Sequence, residues 1–210
     1  DAGSNNGSDV ANWVFDSARK AGDSAVVASD SNCYVVVFRS VGRQEYATKD
    51  VRHILFKVDE SALDSEAETY EADLQAAKDA AKTAAEDALA QWKAGEATED
   101  SFAALANELS ADDGSNTNGG LYTKIYKNQM VTEFNDWCFD ASRQAGDTGI
   151  VYGESSKYKG YHVIYFVGDD VPYWQVQAEN ALRNTDTEAW LDGLLDSADV
   201  VQEAGMKHVG

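Results

Sequence analysis

Two imidazoles, one carboxylate and a few apolar side chains mark the part of this chain that could do chemistry. His53 stands in an alternating run, VRHILFKV at 51–58. Asp112 stands in a loop of form S-x-D-x-G-S that ends in Gly119 and Gly120. His162 follows Gly160 and Tyr161 at the head of a second apolar run, and Gln129, Met130 and Phe134 lie between the loop and that run. Residue types of this kind could build a polar hydrogen-bonded network beside an apolar slot. Each also has a plainer reading. A strand histidine is commonly a satisfied core residue, Met and Phe four apart on a helix commonly belong to a core, and an aspartate in a turn-rich loop commonly forms the turn, as its neighbour Asp113 does. The two cysteines, Cys33 and Cys138, have neither metal-site nor C-x-x-C redox spacing. They read as buried free thiols, with a disulfide between them as the alternative.

The elements that must position these side chains follow from periodicity. VRHILFKV mixes apolar and polar residues on both alternating sets, which predicts a central strand with both faces partly covered. From 61 to 93 the chain is rich in Ala, Glu, Asp and Lys, with Leu63, Ala67, Tyr70, Leu74, Ala77, Ala81, Ala84, Ala88 and Trp92 at helical spacing, which predicts one long helix ending near Gly95. A short helix follows at 99–109, with Phe102, Leu105 and Leu109 on one face. SADDGSNTNGG at 110–120 is a polar loop of turn formers. Beyond Pro172, the only proline, 174–182 and 187–195 show two helical patterns separated by 183–186. The first ten residues read as disordered, and the tail from Val200 carries no assignable pattern.

The chain also says one thing twice. Residues 12–23 (NWVFDSARKAGD) aligned with 136–147 (DWCFDASRQAGD) share seven identities: Trp, Phe, Asp, Arg, Ala, Gly and Asp. Each copy predicts a helix, at 10–20 and at 134–144, then a Gly-Asp turn, a hairpin and a buried strand, YVVVF at 34–38 and YHVIYF at 161–166.

Composition bounds the rest. The 210 residues and 43% hydrophobic content can build a real core and predict a soluble globular protein. No run approaches the 18 or so apolar residues of a membrane span, and the first residues lack the basic and apolar regions of a signal peptide. A net charge of −20 repels nucleic-acid phosphates and anionic lipid head groups, which sets both aside as partners.

Several motifs agree at once: V-R-H-I-L at 51–55, F-x-x-L-A-x-E-L-S at 102–110, the aspartate loop, Q-M-V-x-E-F at 129–134 and G-Y-H-V-I at 160–164. Over 51–168 the sequence resembles the parvulin-type peptidyl-prolyl cis/trans isomerases, and among them the extracytoplasmic foldases of Gram-positive bacteria. The resemblance implies an α+β, FKBP-like fold of order β-α3-β-α-β2, a four-stranded antiparallel sheet wrapped by helices with a groove on one face. It also implies that His53, Asp112 and His162 form the catalytic polar network, with the histidine pair mainly shaping the fold. Met130 and Phe134 fall in the proline-ring pocket, with Gln129 beside them and Tyr122 at the place of a family leucine. No cofactor or metal is implied. The substrates implied are unfolded or proline-containing polypeptides.

Two departures stand out. The family commonly continues Asp-Leu-Gly after the Gly-Gly, whereas Leu121, Tyr122 and Thr123 stand here, which predicts a bulkier pocket. The long hairpin GESSKYKG leaves the family's hairpin hydroxyl open between Ser155 and Ser156. Phosphate-requiring parvulins carry a basic cluster after the first strand, but the loop at 57–68 carries Asp59, Glu60, Asp64, Glu66 and Glu68, which would repel phosphate.

The first copy matches only the last helix and last two strands of such a domain, with Tyr34 in place of the second histidine. The expected organisation is therefore a partial degenerate parvulin-like repeat at 1–45, an isomerase domain at 46–170 and a C-terminal helical extension at 171–210, with a homodimer through the partial repeat as one way to cover its edges. The reading favours an extracytoplasmic foldase, at the cell surface or membrane-anchored in its full-length form. A catalytically weak parvulin scaffold used for chaperone-like or protein binding is the alternative.

Overall fold

A computed structural model of the chain describes residues 7–28, 32–156 and 158–197. The expectations for residues 1–6 and for the tail from Val200 lie outside the described residues. In chain order the elements are α1 (Gly7–Val14), β1 (Ser24–Ala28), β2 (Cys33–Val37), β3 (Ala47–Lys57), α2 (Tyr70–Ala94), α3 (Glu99–Leu109), β4 (Leu121–Ile125), α4 (Thr132–Cys138), β5 (Thr148–Glu154), β6 (Lys159–Pro172) and α5 (Tyr173–Ser197). The chain divides after Gln44 into two units, and α5 groups with the second.

In the second unit β3 lies inside a four-stranded antiparallel sheet of order β4-β3-β6-β5, the sheet that the resemblance implies. The mixed alternation of its sequence has a direct cause. Ile54, with Val163 of β6, faces a cluster built on Ala85, Ala88 and Trp92 of α2 and Phe102, Leu105 and Ala106 of α3. Val51, with Ile164 and Phe166 of β6, faces Phe134 and Cys138 of α4 on the other side. Neither face of β3 meets bulk water, so neither can be purely polar.

The helix α3 runs over the predicted residues because Thr98 and Ser101 form a reciprocal capping box and Phe102, Leu105 and Ala106 are buried on one face. Elsewhere the predicted boundaries move. Residues 61–69 form turns, since Asp59 and Asp64 accept the N–H groups of Ser61 and Glu66 two residues on, which competes with helix formation. Two helices, not the implied three, therefore join β3 to β4 among the described residues. On α2 the buried stripe runs through Ala81, Ala85, Ala88 and Trp92, with Ala84 exposed. The two patterns after Pro172 merge into the single helix α5, in which the Thr185 and Thr187 hydroxyls donate to the carbonyls four residues back instead of breaking the helix. Residues 7–10, expected to be disordered, open α1.

The repeat has a shared physical basis. Helices α1 and α4 end at Val14 and Cys138, earlier than predicted, because Asp16 and Asp140 accept the N–H groups of Ala18 and Ser142 at 2.9 and 2.8 Å. Arg19 and Arg143 then reach back, donating from Nε to the carbonyls of Trp13 and Trp137 at 3.0 and 3.1 Å while their guanidinium groups lie 4.4 and 4.0 Å from the centres of those indole rings. Gly22 and Gly146 take positive φ, and Asp23 and Asp147 accept the N–H groups of Lys20 and Gln144 at 2.9 Å. Five of the shared residues thus make one backbone clasp, built twice.

In the first unit, β1 and β2 pair antiparallel from Ser24 opposite Val37 to Ala28 opposite Cys33. The buried strand expected at 34–38 is half open: Val35 and Val37 are exposed, and so is Cys33, contrary to its reading as a buried thiol. Cys138 is buried and free, and burial pushes its thiol up to about 12.

One glycine is indispensable to this arrangement. Gly120 has φ +70, its carbonyl accepts from His53 N–H at 2.9 Å, and a Cβ there would sit 2.2 Å from the His53 carbonyl oxygen. Gly120→Ala is expected to destabilise the protein by about 3 kcal/mol, whereas Gly193→Ala, in an open position on α5, is expected to stabilise it by about 0.5–1 kcal/mol. Urea titration of both variants checks the contrast.

Candidate active site

The site is assembled on β3. Its register with β6 sets His53 opposite Ile164 and Leu55 opposite His162, so the two histidines are diagonal neighbours on the α4 face. The loop 110–120 is fastened to the same strand at both ends. Leu55 N–H donates to Ser110 Oγ and Ala111 N–H to the Leu55 carbonyl, while Arg52 donates to the Gly119 carbonyl and, through Nε, to Glu99 at 2.9 Å. Those fastenings hold Asp112 against His53.

The result is a continuous hydrogen-bonded chain. Asp112 Oδ2 lies 3.0 Å from His53 Nε2, His53 Nδ1 lies 3.1 Å from His162 Nδ1, and His162 Nε2 lies 3.1 Å from the Tyr158 hydroxyl. Asp112 Oδ2 also accepts from Ser115 Oγ at 2.5 Å and from the Tyr122 hydroxyl at 3.0 Å. These donors, His53 first, hold the Asp112 carboxyl well below the usual carboxylate range despite its partial burial. Both histidines are 3% exposed. Burial, reinforced by His53, pushes His162 down to about 3, so its imidazole is neutral in the folded protein near pH 7. The ionised Asp112 accepts from His53 Nε2, and the neutral His162 has one donor and one acceptor nitrogen for its bonds to His53 and the Tyr158 hydroxyl. Burial and the bond to Asp112 push the Tyr122 hydroxyl up to about 12, which keeps it a donor.

Beside this chain lies a cavity of about 200 Å³. Leu55, Met130, Val131 and Phe134 supply its apolar lining, and His53, Asp112, Tyr122, Tyr158 and His162 its polar wall. Phe134 stands edge-on to both imidazoles, with ring centres 5.7 Å from His53 and 5.3 Å from His162. It is 1% exposed and packs with Val51, Ile125 and Ile164, so it is a core residue as much as a wall of the cavity.

Six of the seven residues singled out in the sequence, His53, Asp112, Tyr122, Met130, Phe134 and His162, meet here. Gln129 does not. It is exposed, and its side-chain oxygen accepts Tyr126 N–H at 3.0 Å within its own turn. Ser155 Oγ bonds the Tyr158 backbone, and the group on His162 is Tyr158. Ser115, fully buried, was also missed, although it is the final serine of S-x-D-x-G-S and that spacing could have pointed to it.

A buried histidine pair with His162 neutral, an ionised carboxylate and an apolar slot thus stand side by side on the sheet. Among the described residues no group of three or more His, Cys, Asp or Glu could hold a metal ion. The chain belongs to the parvulin family: residues 53–168 match the family model for the rotamase, PPIC-type PPIASE domain. Among solved structures it is similar to the peptidylprolyl isomerase PrsA from Bacillus cereus, with 24% identity over 77% of this chain and 54% of that one and a TM-score of 0.41. It is also similar to a structure from the work on PEB4 and the periplasmic protein Cj1289, two SurA-like chaperones of Campylobacter jejuni, with 23% identity over 75% of this chain and 56% of that one and a TM-score of 0.38. The chain thus spans about half the length of these two proteins. No curated protein sequence matches it.

The neutral state of His162 has a thermodynamic consequence. The unfolded chain takes up a proton on this residue below about pH 6.5, whereas the folded protein does not until about pH 3. Stability is therefore expected to fall as pH drops from 6.5 to 4, by about 1.4 kcal/mol per unit, before Asp112, whose folded value is depressed, adds its own loss below about pH 4. Urea midpoints at pH 7, 5.5 and 4.5 measure the slope.

Proposed function

We propose that this chain is a phosphate-independent peptidyl-prolyl cis/trans isomerase and foldase that acts on X-Pro bonds of unfolded exported polypeptides outside the cytoplasm. The observation that carries the reading is the apolar slot formed by Met130, Val131 and Phe134 alongside the ionised Asp112. A planar amide owes its barrier of ~18–20 kcal/mol to resonance that places negative charge on the carbonyl oxygen. A slot that grips the proline ring and excludes water, with a carboxylate that disfavours that charge, lowers the cost of twisting without breaking a bond. The Asp112–His53–His162–Tyr158 chain holds the carboxylate in place and keeps the floor of the slot rigid. The extracytoplasmic setting rests on the resemblance of the motifs to exported foldases.

A second reading, a weakly active scaffold that binds polypeptides, draws on one observation. Tyr122, where the family carries leucine, places a phenol in the cavity and commits it to Asp112.

A protease-coupled assay on an unphosphorylated X-Pro peptide separates the two. Acceleration is expected, and a folded protein with no activity above buffer would leave the scaffold reading standing. Met130→Ala is expected to lower kcat/KM about tenfold, the loss of ~1.4 kcal/mol of apolar contact, and Asp113→Ala, outside the cavity lining, to change it less than twofold. Phosphoserine-proline peptides are expected to be poorer substrates than their unphosphorylated forms, and the gap to narrow in high salt, because the loop at 57–68 carries five carboxylates.

A further inference from the structure

The loop that carries Asp112 closes on the run NTNGG at 116–120, and Asn118–Gly119 is one of two Asn-Gly pairs in the sequence. Asparagine before glycine is the pairing most open to deamidation, because a second residue without a side chain lets its backbone nitrogen reach the carboxamide carbon of the first. Here the fold requires both residues. Gly119 has φ +74, and a Cβ there would lie 2.6 Å from Arg52 Nη1 and 2.7 Å from Ala103 Cβ, so glycine is needed. Asn118 holds the exit into β4, its Oδ1 accepting Leu121 N–H at 3.0 Å and its Nδ2 donating to the Leu121 carbonyl at 3.2 Å. The amides of this stretch are closed within the loop with one exception. Asn118 and Gly120 N–H donate to the Ser115 carbonyl at 3.1 and 2.9 Å, and Leu121 N–H to Asn118. The Gly119 N–H is held from another element, donating to Asn107 Oδ1 of α3 at 2.7 Å. Asn107 is exposed, off the face on which α3 buries Phe102, Leu105 and Ala106.

We propose that Asn118 is a deamidation site gated by Asn107, with water as the only co-reactant. In the closed loop the proton on the Gly119 nitrogen is held by Asn107, and the Asn118 carboxamide is tied at both its oxygen and its nitrogen to Leu121. When the loop opens, the Gly119 nitrogen loses that proton to solvent and bonds to Asn118 Cγ. The Cγ–Nδ2 bond breaks, and Nδ2 takes up a proton and leaves as ammonia. Water then opens the five-membered imide at one of its two carbonyls. One product is aspartate at 118; the other is isoaspartate, whose main chain runs through Cγ and is one methylene longer. Arg52 Nη1 donates to the carbonyls of Asn118 and Gly119 at 3.2 and 3.0 Å, and these bonds fasten the loop to β3. The longer chain shifts those carbonyls out of register. Each opening that runs to product is thereby recorded, irreversibly, in the loop that holds Asp112 against His53. The inference stands apart from the isomerase reading.

The test compares the full chain with a synthetic peptide of residues 110–121 during incubation in mildly alkaline buffer. Mass spectrometry with peptide mapping separates Asn118 from Asn116, and enzymatic methyl transfer identifies isoaspartate. Deamidation at Asn118 is expected to be about tenfold or more slower in the folded chain than in the peptide, because only the locally open state reacts, and to reach the peptide's rate in urea. Asn107→Ala is expected to speed it about fivefold, the share of one hydrogen bond, with helical content unchanged. Asn107→Asp keeps an acceptor for the Gly119 N–H and is expected to hold the wild-type rate. Equal rates in the folded chain and the peptide overturn the proposal, as does a slow rate that persists in urea. An Asn107→Ala chain no faster than wild type, or an Asn107→Asp chain as fast as Asn107→Ala, removes Asn107 as the gate and overturns it too. The modified fraction, separated by anion exchange, is expected to melt below its parent; an unchanged midpoint would overturn the consequence assigned to the loop.

Discussion

The pairing of β3 with β6 is the constraint on which the rest of the second unit depends. Side chains alternate across a sheet, so a slip of one residue would carry His53 or His162 to the face under α2 and α3 and bring Ile54 or Val163 to the cavity. The apolar content of the two faces differs enough to forbid that slip. The small stripe of α2 and the aromatic pair Trp92 and Phe102 fit one set of side chains, while Phe134 and Cys138 fit the other. The same strand anchors the loop that carries Asp112. One element thus sets the position of both histidines and of the carboxylate, and errors in any of the three are coupled.

Electrostatically, the site keeps one charge and suppresses another. Burying a carboxylate beside two imidazoles would ordinarily raise its pKa, but three donors converge on one oxygen of Asp112 and reverse the sign. Two stacked imidazoles cannot both be charged at a 3.1 Å separation without severe repulsion, and the apolar surroundings keep His162 neutral. The polar wall is therefore rigid and mostly satisfied: among the described residues no buried side-chain nitrogen or oxygen lacks a hydrogen-bond partner.

Much of this was legible in the sequence, for identifiable reasons. The four-stranded antiparallel sheet, and the meeting of six of the seven chosen residues at one cavity, followed because several short motifs had to agree in order and spacing. What escaped was decided by geometry that has no local pattern. Tyr158 reaches His162 only because the hairpin brings positions four apart onto one side, which the run of serines before it concealed. Gln129 matched its motif but spends its side chain on a turn. Helix ends were missed wherever an aspartate took the N–H two residues on, at Asp16, Asp59, Asp64 and Asp140, because a turn former inside an otherwise helical pattern competes with the helix over one or two bonds. Cys33 was read as buried from the habit of its residue type, while its exposure follows from what covers the strand and not from the strand itself.

The doubled clasp also sorts selection on folding from selection on chemistry. Tyr34 stands where the second copy has His162, and Cys33 and Val37 stand where it has Tyr161 and Tyr165, yet Trp, Asp, Arg, Gly and Asp persist at every clasp position. Between two copies of a motif, side chains that serve only one of them are free to differ. Side chains that satisfy the backbone's own donors and acceptors are not, because their loss unravels the unit whatever it does. The residues the two copies share record what it takes to turn a helix into a hairpin, whatever else each copy carries.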